Sequence, residues 1–225
     1  MISDNINLVM GKIKKAADNA NRDYKNIEII AVTKYVESKV IKELYENGIY
    51  SFGESKVQDF IKKYEEIDNK INWHFIGHLQ KNKVKFIVDK VNLIHSVDSI
   101  KIIEELNKRY ERIGKSIDIL LQINISNEKS KYGFDKNCLD TITNGIYKYS
   151  NVKIKGLMAI SSNTENKDVI RKEFREMKEL FDFIKNKEFR NIDMKFLSMG
   201  MSNDFEIAIE EGANIVRIGR MLIKK

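Results

Sequence analysis

Lys34 is the residue of this chain whose type and position most clearly suggest chemistry, because it directly follows a short apolar segment, residues 27–33. Such a segment is typical of a strand in a parallel sheet, since those strands are buried on both faces. An ammonium group at the end of a buried strand is costly to desolvate unless its pKa falls or a partner takes up its charge. A lysine desolvated in this way is a nucleophile that condenses with carbonyl groups. The alternative is a lysine whose ammonium extends into water.

A second candidate for chemistry is the segment SMGMSND, residues 198–204, which precedes a predicted helix. Gly200 gives the turn conformational freedom, and Ser202, Asn203 or Asp204 could cap the helix. A helix N-terminus with free N–H groups and a nearby hydroxyl is suited to binding an anion. The alternative is an ordinary glycine turn followed by a capped helix, and the segment alone leaves both interpretations open.

Arg217 is a third candidate, because it lies inside an otherwise apolar segment, residues 214–219. A buried guanidinium needs a partner, since it keeps its charge. Glu54 or Asp204 could form a structural ion pair with it, and a bound anion or polar ligand could equally be the partner. The sequence leaves these alternatives open.

The histidines and the single cysteine do not indicate a metal site. His74 and His95 alternate with apolar neighbours, so we expect core residues with satisfied hydrogen bonds. Cys138 alone excludes an internal disulfide and a cysteine-based metal cluster, which favours a cytoplasmic location, and we expect it to pack rather than to react. The GxGxxG, GxxxxGK[ST], HExxH and CxxC motifs are absent from the sequence.

The composition suits a globular protein that binds neither nucleic acid nor a membrane. No apolar segment approaches the ~20 residues of a membrane span, and the N-terminal segment lacks the basic-then-apolar order of a secretory signal. The net charge of +7 is compatible with a nucleic-acid partner, but the lysines are spread along the chain and mixed with Glu and Asp. A small anionic ligand is an equally good use for a few of these charges.

These residues must be positioned by a regular alternation of apolar and amphipathic segments. After an N-terminal amphipathic helix, the predicted strands cover residues 27–33, 50–54, 73–77, 92–96, 116–126, 152–160, 194–200 and 214–219. Predicted helices separate them at residues 37–47, 56–67, 83–89, 99–114, 136–149, 168–186 and 203–213. Strict alternation predicts a parallel sheet with right-handed crossovers.

Eight such units in about 200 residues predict the α/β class and a single (β/α)₈ TIM barrel with an extra N-terminal helix. We expect one domain over residues 1–225, and the alternative is an open doubly wound sheet. In a barrel the functional groups lie at the C-terminal ends of the strands, so Lys34, Ser202, Arg217 and Gly219 are expected at one mouth. The loops after the seventh and eighth strands are the recurrent phosphate site of such barrels.

Seven segments also identify a family. They are AVTK at 31–34, FGESKVQ at 52–58, WHFIGHLQKNK at 73–83, INISNEKSKYGF at 123–134, GLMAI at 156–160, LSMGMSNDFEIAI at 197–209 and VRIG at 216–219. In this order they resemble the YggS/PROSC family of pyridoxal phosphate homeostasis proteins, which are similar to the N-terminal barrel domain of alanine racemase. The resemblance covers residues 27–220.

The resemblance implies a barrel that binds pyridoxal 5′-phosphate without established catalysis and serves its intracellular homeostasis as a carrier or buffer. It implies a Schiff base between the cofactor and Lys34. The other implied cofactor-binding residues are Met201 and Ser202 beside the phosphate, Gly219 and Arg220 in a second phosphate loop, and Arg217 facing the pyridine nitrogen. Apo-enzymes that receive the cofactor are candidate partners, and we expect a monomer.

Three positions depart from the family pattern. Ser55 stands where the family usually has Asn, His78 where it often has Pro, and Arg220 where it usually has a small hydroxyl residue. An amino-acid racemase is the alternative function, with a second acid/base group from Tyr35, His78 or another residue at the barrel mouth. A third interpretation is a barrel enzyme that uses Lys34 on a phosphorylated metabolite without pyridoxal phosphate. The spacing of the residues supports neither this third interpretation nor nucleic-acid binding.

Overall fold

Eight parallel strands close into a barrel in this computed structural model, which describes residues 2–67, 70–128, 131–187, 189 and 191–223. The strands are β1 Glu28–Val32, β2 Ser51–Glu54, β3 Asn72–Phe75, β4 Leu93–Val97, β5 Ile117–Ile123, β6 Val152–Ala159, β7 Ile192–Met201 and β8 Ile215–Ile218. Each strand pairs in parallel with the next along the chain, and β8 pairs with β1. The predicted α/β class and TIM barrel are confirmed.

Helices surround the barrel on the outside. Within the described residues the α-helices are α1 Ile2–Asn19, α2 Ser38–Glu46, α3 Val57–Glu66, α4 Ile100–Arg112, α5 Leu139–Gly145, α6 Lys167–Lys185, α7 Phe205–Glu210 and α8 Arg220–Ile223. The extra N-terminal helix α1 is confirmed, and it packs against α7 and α8. Its buried face carries Val9 and Ile13 at helical spacing.

Two apolar clusters fill the protein. The larger one joins the helices to the outer face of the barrel. The smaller one consists of Ile30, Leu93, Leu120, Met158 and Ile215, with Phe196 packed against it. These side chains come from strands on different sides of the barrel and contact one another, so they fill its interior.

Two predicted helices are shorter or tighter than expected. The segment at 83–89 forms a 3₁₀ helix, Lys81–Phe86, because its β-branched and aromatic residues lose rotamer freedom in an α-helix. The segment at 136–149 forms α5 between two 3₁₀ turns, since Thr, Asn and Gly in DTITNG are poor helix formers. Cys138 lies in the first of these turns and is exposed, so the prediction that it packs was wrong.

Two kinds of feature are absent from the described ranges. No helix there is both long enough and apolar enough to cross a bilayer. No group of three or more His, Cys, Asp or Glu side chains there is placed to hold a metal ion.

Candidate ligand-binding cleft

The C-terminal ends of the strands open into a cleft of about 1100 Å³. All six predicted site residues line it, namely Lys34, Met201, Ser202, Arg217, Gly219 and Arg220. The basic side chains of the lining are Lys34, Lys131, Lys167, Arg217 and Arg220, and the acidic ones are Glu165 and Asp204. This excess of positive charge favours an anionic ligand.

Lys34 lies in the cleft and is exposed, so of the two interpretations left open by the sequence its ammonium follows the one that extends into water. The reason is that β1 ends at Val32 and Thr33 takes the last buried position. The Lys34 ammonium lies 5.1 Å from the ring centroid of Tyr35, whose side chain is itself 82% exposed. The amine is therefore accessible from the cleft.

Thr33 holds the chain firmly one residue before this amine. Its N–H donates to the Gly53 carbonyl over 3.1 Å, and its hydroxyl donates to Glu54 Oε1 over 2.7 Å. Its own carbonyl accepts a hydrogen bond from Lys63 Nζ over 2.6 Å. Lys63 and Glu54 form a buried ion pair, also at 2.6 Å. We call Thr33, Glu54 and Lys63 the Thr33 clamp.

The Thr33 clamp was missed in the sequence, where Lys63 resembles a surface charge of α3. One signal was present: Lys63 falls on the helix face that also carries the buried Val57 and Phe60. Among the described residues, Glu54 Oε2 is buried without a hydrogen-bond partner. Lys63 is therefore the main compensation for the charge of that carboxylate.

The turn between β7 and α7 forms part of the cleft lining. Asp204 Oδ1 accepts from the Met201 N–H over 2.6 Å, and Asp204 Oδ2 accepts from the Ser161 hydroxyl over 2.6 Å. The N–H groups of Ser202 and Asn203 have no acceptor among the described residues. Ser202 and Asn203 do not cap α7, because Asp204 occupies the N-cap position and turns its carboxylate back to the turn.

Gly200 is required by the shape of this turn. Its φ of +89° lies in the left-handed region, and a Cβ built there would lie 2.6 Å from Ala208 Cβ and 2.8 Å from Phe205 Cα. The glycine therefore allows β7 and α7 to approach closely at the turn whose Ser202 and Asn203 N–H groups have no acceptor among the described residues.

Gly200→Ala is expected to destabilise the protein by about 2–4 kcal/mol, because backbone strain and overpacking add at this position. Thermal unfolding measures the effect. Gly11→Ala is the matched control, since Gly11 lies inside α1 with open space around it and the change is expected to stabilise by up to about 1 kcal/mol. Equal melting temperatures for the two variants would contradict the role given to Gly200.

Arg217 is buried at the base of the cleft and makes no ion pair with Glu54. Its Nη1 donates to Ser198 Oγ over 2.7 Å, and its Nη2 donates to the Ala159 carbonyl over 2.8 Å. Burial lowers the pKa of the Arg217 guanidinium to about 10, and the nearby Asp204 carboxylate opposes this shift. The guanidinium thus stays charged at neutral pH, as expected of an arginine that meets a ligand or a structural partner.

The two buried histidines are hydrogen-bonded core residues, as predicted. His74 Nδ1 lies 2.9 Å from His95 Nε2, and His95 Nδ1 lies 2.9 Å from Ser198 Oγ. Burial lowers the pKa of His74 to about 4. Burial also lowers the pKa of His95 well below its usual value, with smaller effects from His74 and Arg217. Both rings are therefore neutral at physiological pH.

The two other departures from the family pattern lie outside the cleft lining. His78 Nδ1 is 2.7 Å from Asp98 Oδ2, and the His78 ring stacks on Tyr132 with centroids 3.7 Å apart. Ser55 is half-buried beyond the end of β2, where its carbonyl closely approaches Gly77. Of the two residues considered as a racemase base, only Tyr35 lines the cleft.

Fold and cleft together define a barrel of the type found at the N-terminus of alanine racemases. The family model described as "Alanine racemase, N-terminal domain" matches residues 11–224. The chain belongs to the family of pyridoxal phosphate homeostasis proteins, as the resemblance in the sequence predicted. It is 40% identical over 220 residues to the pyridoxal phosphate homeostasis protein of Aquifex aeolicus (strain VF5). The aligned region covers 97% of this chain and 96% of that protein.

Solved structures share this fold over nearly the whole chain. A crystal structure of an unknown protein from Bifidobacterium adolescentis superimposes with a TM-score of 0.94 at 30% identity, covering 99% of this chain and 94% of that one. The structure of PipY from Synechococcus elongatus PCC7942 with pyridoxal phosphate bound has a TM-score of 0.84 at 28% identity, and 99% of each chain is covered.

Proposed function

We propose that this chain binds pyridoxal 5′-phosphate in the cleft and takes part in its homeostasis as a carrier or buffer. The observation that carries the proposal is the convergence of an accessible amine, free main-chain N–H groups and a buried guanidinium on one positively charged cleft. The names of the relatives and the cofactor bound to PipY support it.

The residues present fit the chemical groups of this cofactor. The N–H groups of Ser202 and Asn203, with the Ser202 hydroxyl, are suited to the phosphate. Met201 and Gly219 border that part of the cleft, and the exposed Arg220 adds charge there. Bound pyridoxal phosphate supplies an aldehyde, which condenses with a primary amine such as that of Lys34.

Arg217 gives this site a specific electrostatic character. A guanidinium that donates to the pyridine nitrogen keeps that nitrogen unprotonated, because Arg217 retains its own proton. An unprotonated ring is a weaker electron sink, which disfavours chemistry on a bound amino acid. Arg217 therefore suits holding the cofactor more than activating it.

A racemase is the second candidate, because Tyr35 places a phenol at the cleft. A two-base racemase needs a second acid/base group on the opposite face of the ring from Lys34. The exposure of Tyr35 and the weak electron sink expected beside Arg217 favour the carrier. We further propose that apo-enzymes receive the cofactor from this chain and that it acts as a monomer.

An absorbance spectrum of the purified protein with added pyridoxal phosphate, before and after borohydride reduction, tests the proposed function. We expect a near-visible band that reduction removes, and a reduced adduct that peptide mass mapping places on Lys34. Incubation of the loaded protein with amino acids in heavy water then separates carrier from racemase, because a racemase exchanges the α-proton. A colourless protein that takes up no pyridoxal phosphate would contradict the proposal and favour a phosphorylated-metabolite enzyme.

A further inference from the structure

A line of hydrogen bonds passes through the interior of the barrel, from the cleft toward the opposite rim. It runs from Arg217 through Ser198 and His95 to His74, with distances of 2.7, 2.9 and 2.9 Å. His74 Nε2 then lies 4.0 Å from Glu28 Oε1, at the start of β1. We call these five residues the polar column. Its far end lies at the N-terminal rim, because β1 is parallel to all other strands.

The polar column stands where such barrels usually hold layers of branched apolar side chains. Ser198 and His95 are fully buried, and His74 and Arg217 are nearly so. Buried polar atoms without partners are costly, so each buried polar atom of the column needs a partner, either within the column or, for Arg217 Nη2, at the Ala159 carbonyl. The donors and acceptors can therefore be assigned one by one.

The assignment begins at Arg217, which can only donate, so Ser198 Oγ accepts its hydrogen bond. The Ser198 proton must then go to His95 Nδ1, the other polar atom within reach. A neutral His95 with a free Nδ1 carries its proton on Nε2 and donates it to His74 Nδ1. His74 consequently carries its proton on Nε2, on the side of the Glu28 carboxylate.

The reverse assignment fails at both ends of the column. If His95 Nδ1 carried the proton, Ser198 Oγ would accept two hydrogen bonds and its own buried proton would lack an acceptor. His74 Nε2 would then turn a lone pair toward the Glu28 carboxylate, which repels it. Only the first assignment makes each group donate to the next from Arg217 to His74, and it turns the His74 Nε2 proton toward the Glu28 carboxylate 4.0 Å away.

We propose that the polar column fixes the orientation of Arg217, so that Ser198, His95 and His74 are positioning residues for its contact with the cofactor. The inference rests on the proposed function, because Arg217 is the member that faces the bound ring. Its remaining N–H groups are aimed by the two acceptors that hold the guanidinium, Ser198 Oγ and the Ala159 carbonyl.

The first test reads the histidine tautomers by ¹⁵N NMR in protein labelled at histidine, without cofactor. We expect His74 and His95 both to be protonated on Nε2, while the partly exposed His78 serves as an internal reference. A proton on His95 Nδ1 in the wild-type protein would overturn the column.

The second test replaces Ser198 with alanine. Ser198→Ala should add a second His95 tautomer and raise the Kd for pyridoxal phosphate about tenfold, because Arg217 loses an acceptor. Ser96→Ala is the matched control, since Ser96 is an equally buried strand serine that donates to the Gly77 carbonyl outside the column. Ser198→Thr keeps the hydroxyl and is expected to retain the wild-type tautomer and Kd.

Two results of the second test would count against the inference. Unchanged His95 resonances in Ser198→Ala would overturn the column, and a Kd within about twofold of the wild-type value would overturn the positioning role. Because the tautomers are measured without cofactor, they test the hydrogen-bond assignment of the column independently of cofactor binding. Failure of the wild-type protein to bind pyridoxal phosphate would instead overturn the proposed function, and with it the positioning role.

Discussion

Lys34→Ala is expected to abolish the covalent attachment of pyridoxal phosphate, so that borohydride fixes no label above background. Among the cleft lysines, only Lys34 follows the clamped end of β1, and it combines an accessible amine with a fixed backbone. The measurement is the near-visible absorbance band, followed by mass analysis of the reduced protein. The effect is expected to be all-or-none, because Lys34 is the only primary amine among the six residues proposed to hold the cofactor.

Two control variants test whether the effect comes from the reactive amine of Lys34. One keeps the positive charge at position 34, and the other removes a different cleft lysine. Lys34→Arg keeps a cation in the cleft and cannot condense with the aldehyde, so we expect residual reversible binding without a reducible adduct. Lys167→Ala removes another cleft lysine and is expected to leave the adduct intact. Full labelling of Lys34→Ala would show that another amine holds the cofactor.

Lys63→Met is expected to destabilise the protein by about 3–5 kcal/mol, because it leaves the fully buried Glu54 carboxylate without its ion-pair partner. For a chain of this size, that corresponds to a melting temperature lower by about 10 °C. Thermal unfolding monitored by circular dichroism measures the loss. The methionine keeps the length of the side chain, so most of the effect reports the missing charge.

The controls use an exposed pair and a double variant. Lys115→Met breaks the ion pair with Asp89, in which both side chains are more than half exposed, and should cost no more than about 1 kcal/mol. Glu54→Gln combined with Lys63→Met removes both charges and should recover part of the stability. If Lys63→Met had the same melting temperature as the wild-type protein, the Thr33 clamp would not depend on this ion pair.

The barrel fold could be predicted from the sequence because the patterns that indicate it are local and repeated along the chain. Each strand is a short apolar run, each connection has helical periodicity, and the order of the eight units determines a closed parallel barrel. The predictions were weaker at 83–89 and 136–149, where apolar spacing resembled an α-helix but poor helix formers produced 3₁₀ turns. Hydrophobic pattern alone does not measure helix propensity.

The sequence placed the candidate residues at one cleft but did not predict their environments. Lys34 was found from its place after β1, yet its exposure depends on where the strand ends, which one residue decides. The hydrogen-bond partners of Arg217 could not be predicted from the sequence, because Ser198 lies in another strand and the Ala159 carbonyl is a main-chain group that any residue has. Contacts between distant strand ends depend on the barrel register, and one sequence does not reveal that register.

The exposure of Lys34 has a consequence for the exchange of the bound molecule with its surroundings. The Thr33 clamp immobilises the backbone before the lysine, so only the flexible side chain must become ordered when an aldehyde is captured. Water and competing amines reach the same atom from the open cleft. Capture is therefore expected to be readily reversed by hydrolysis or by transfer to another amine, which suits a reservoir that must return what it stores.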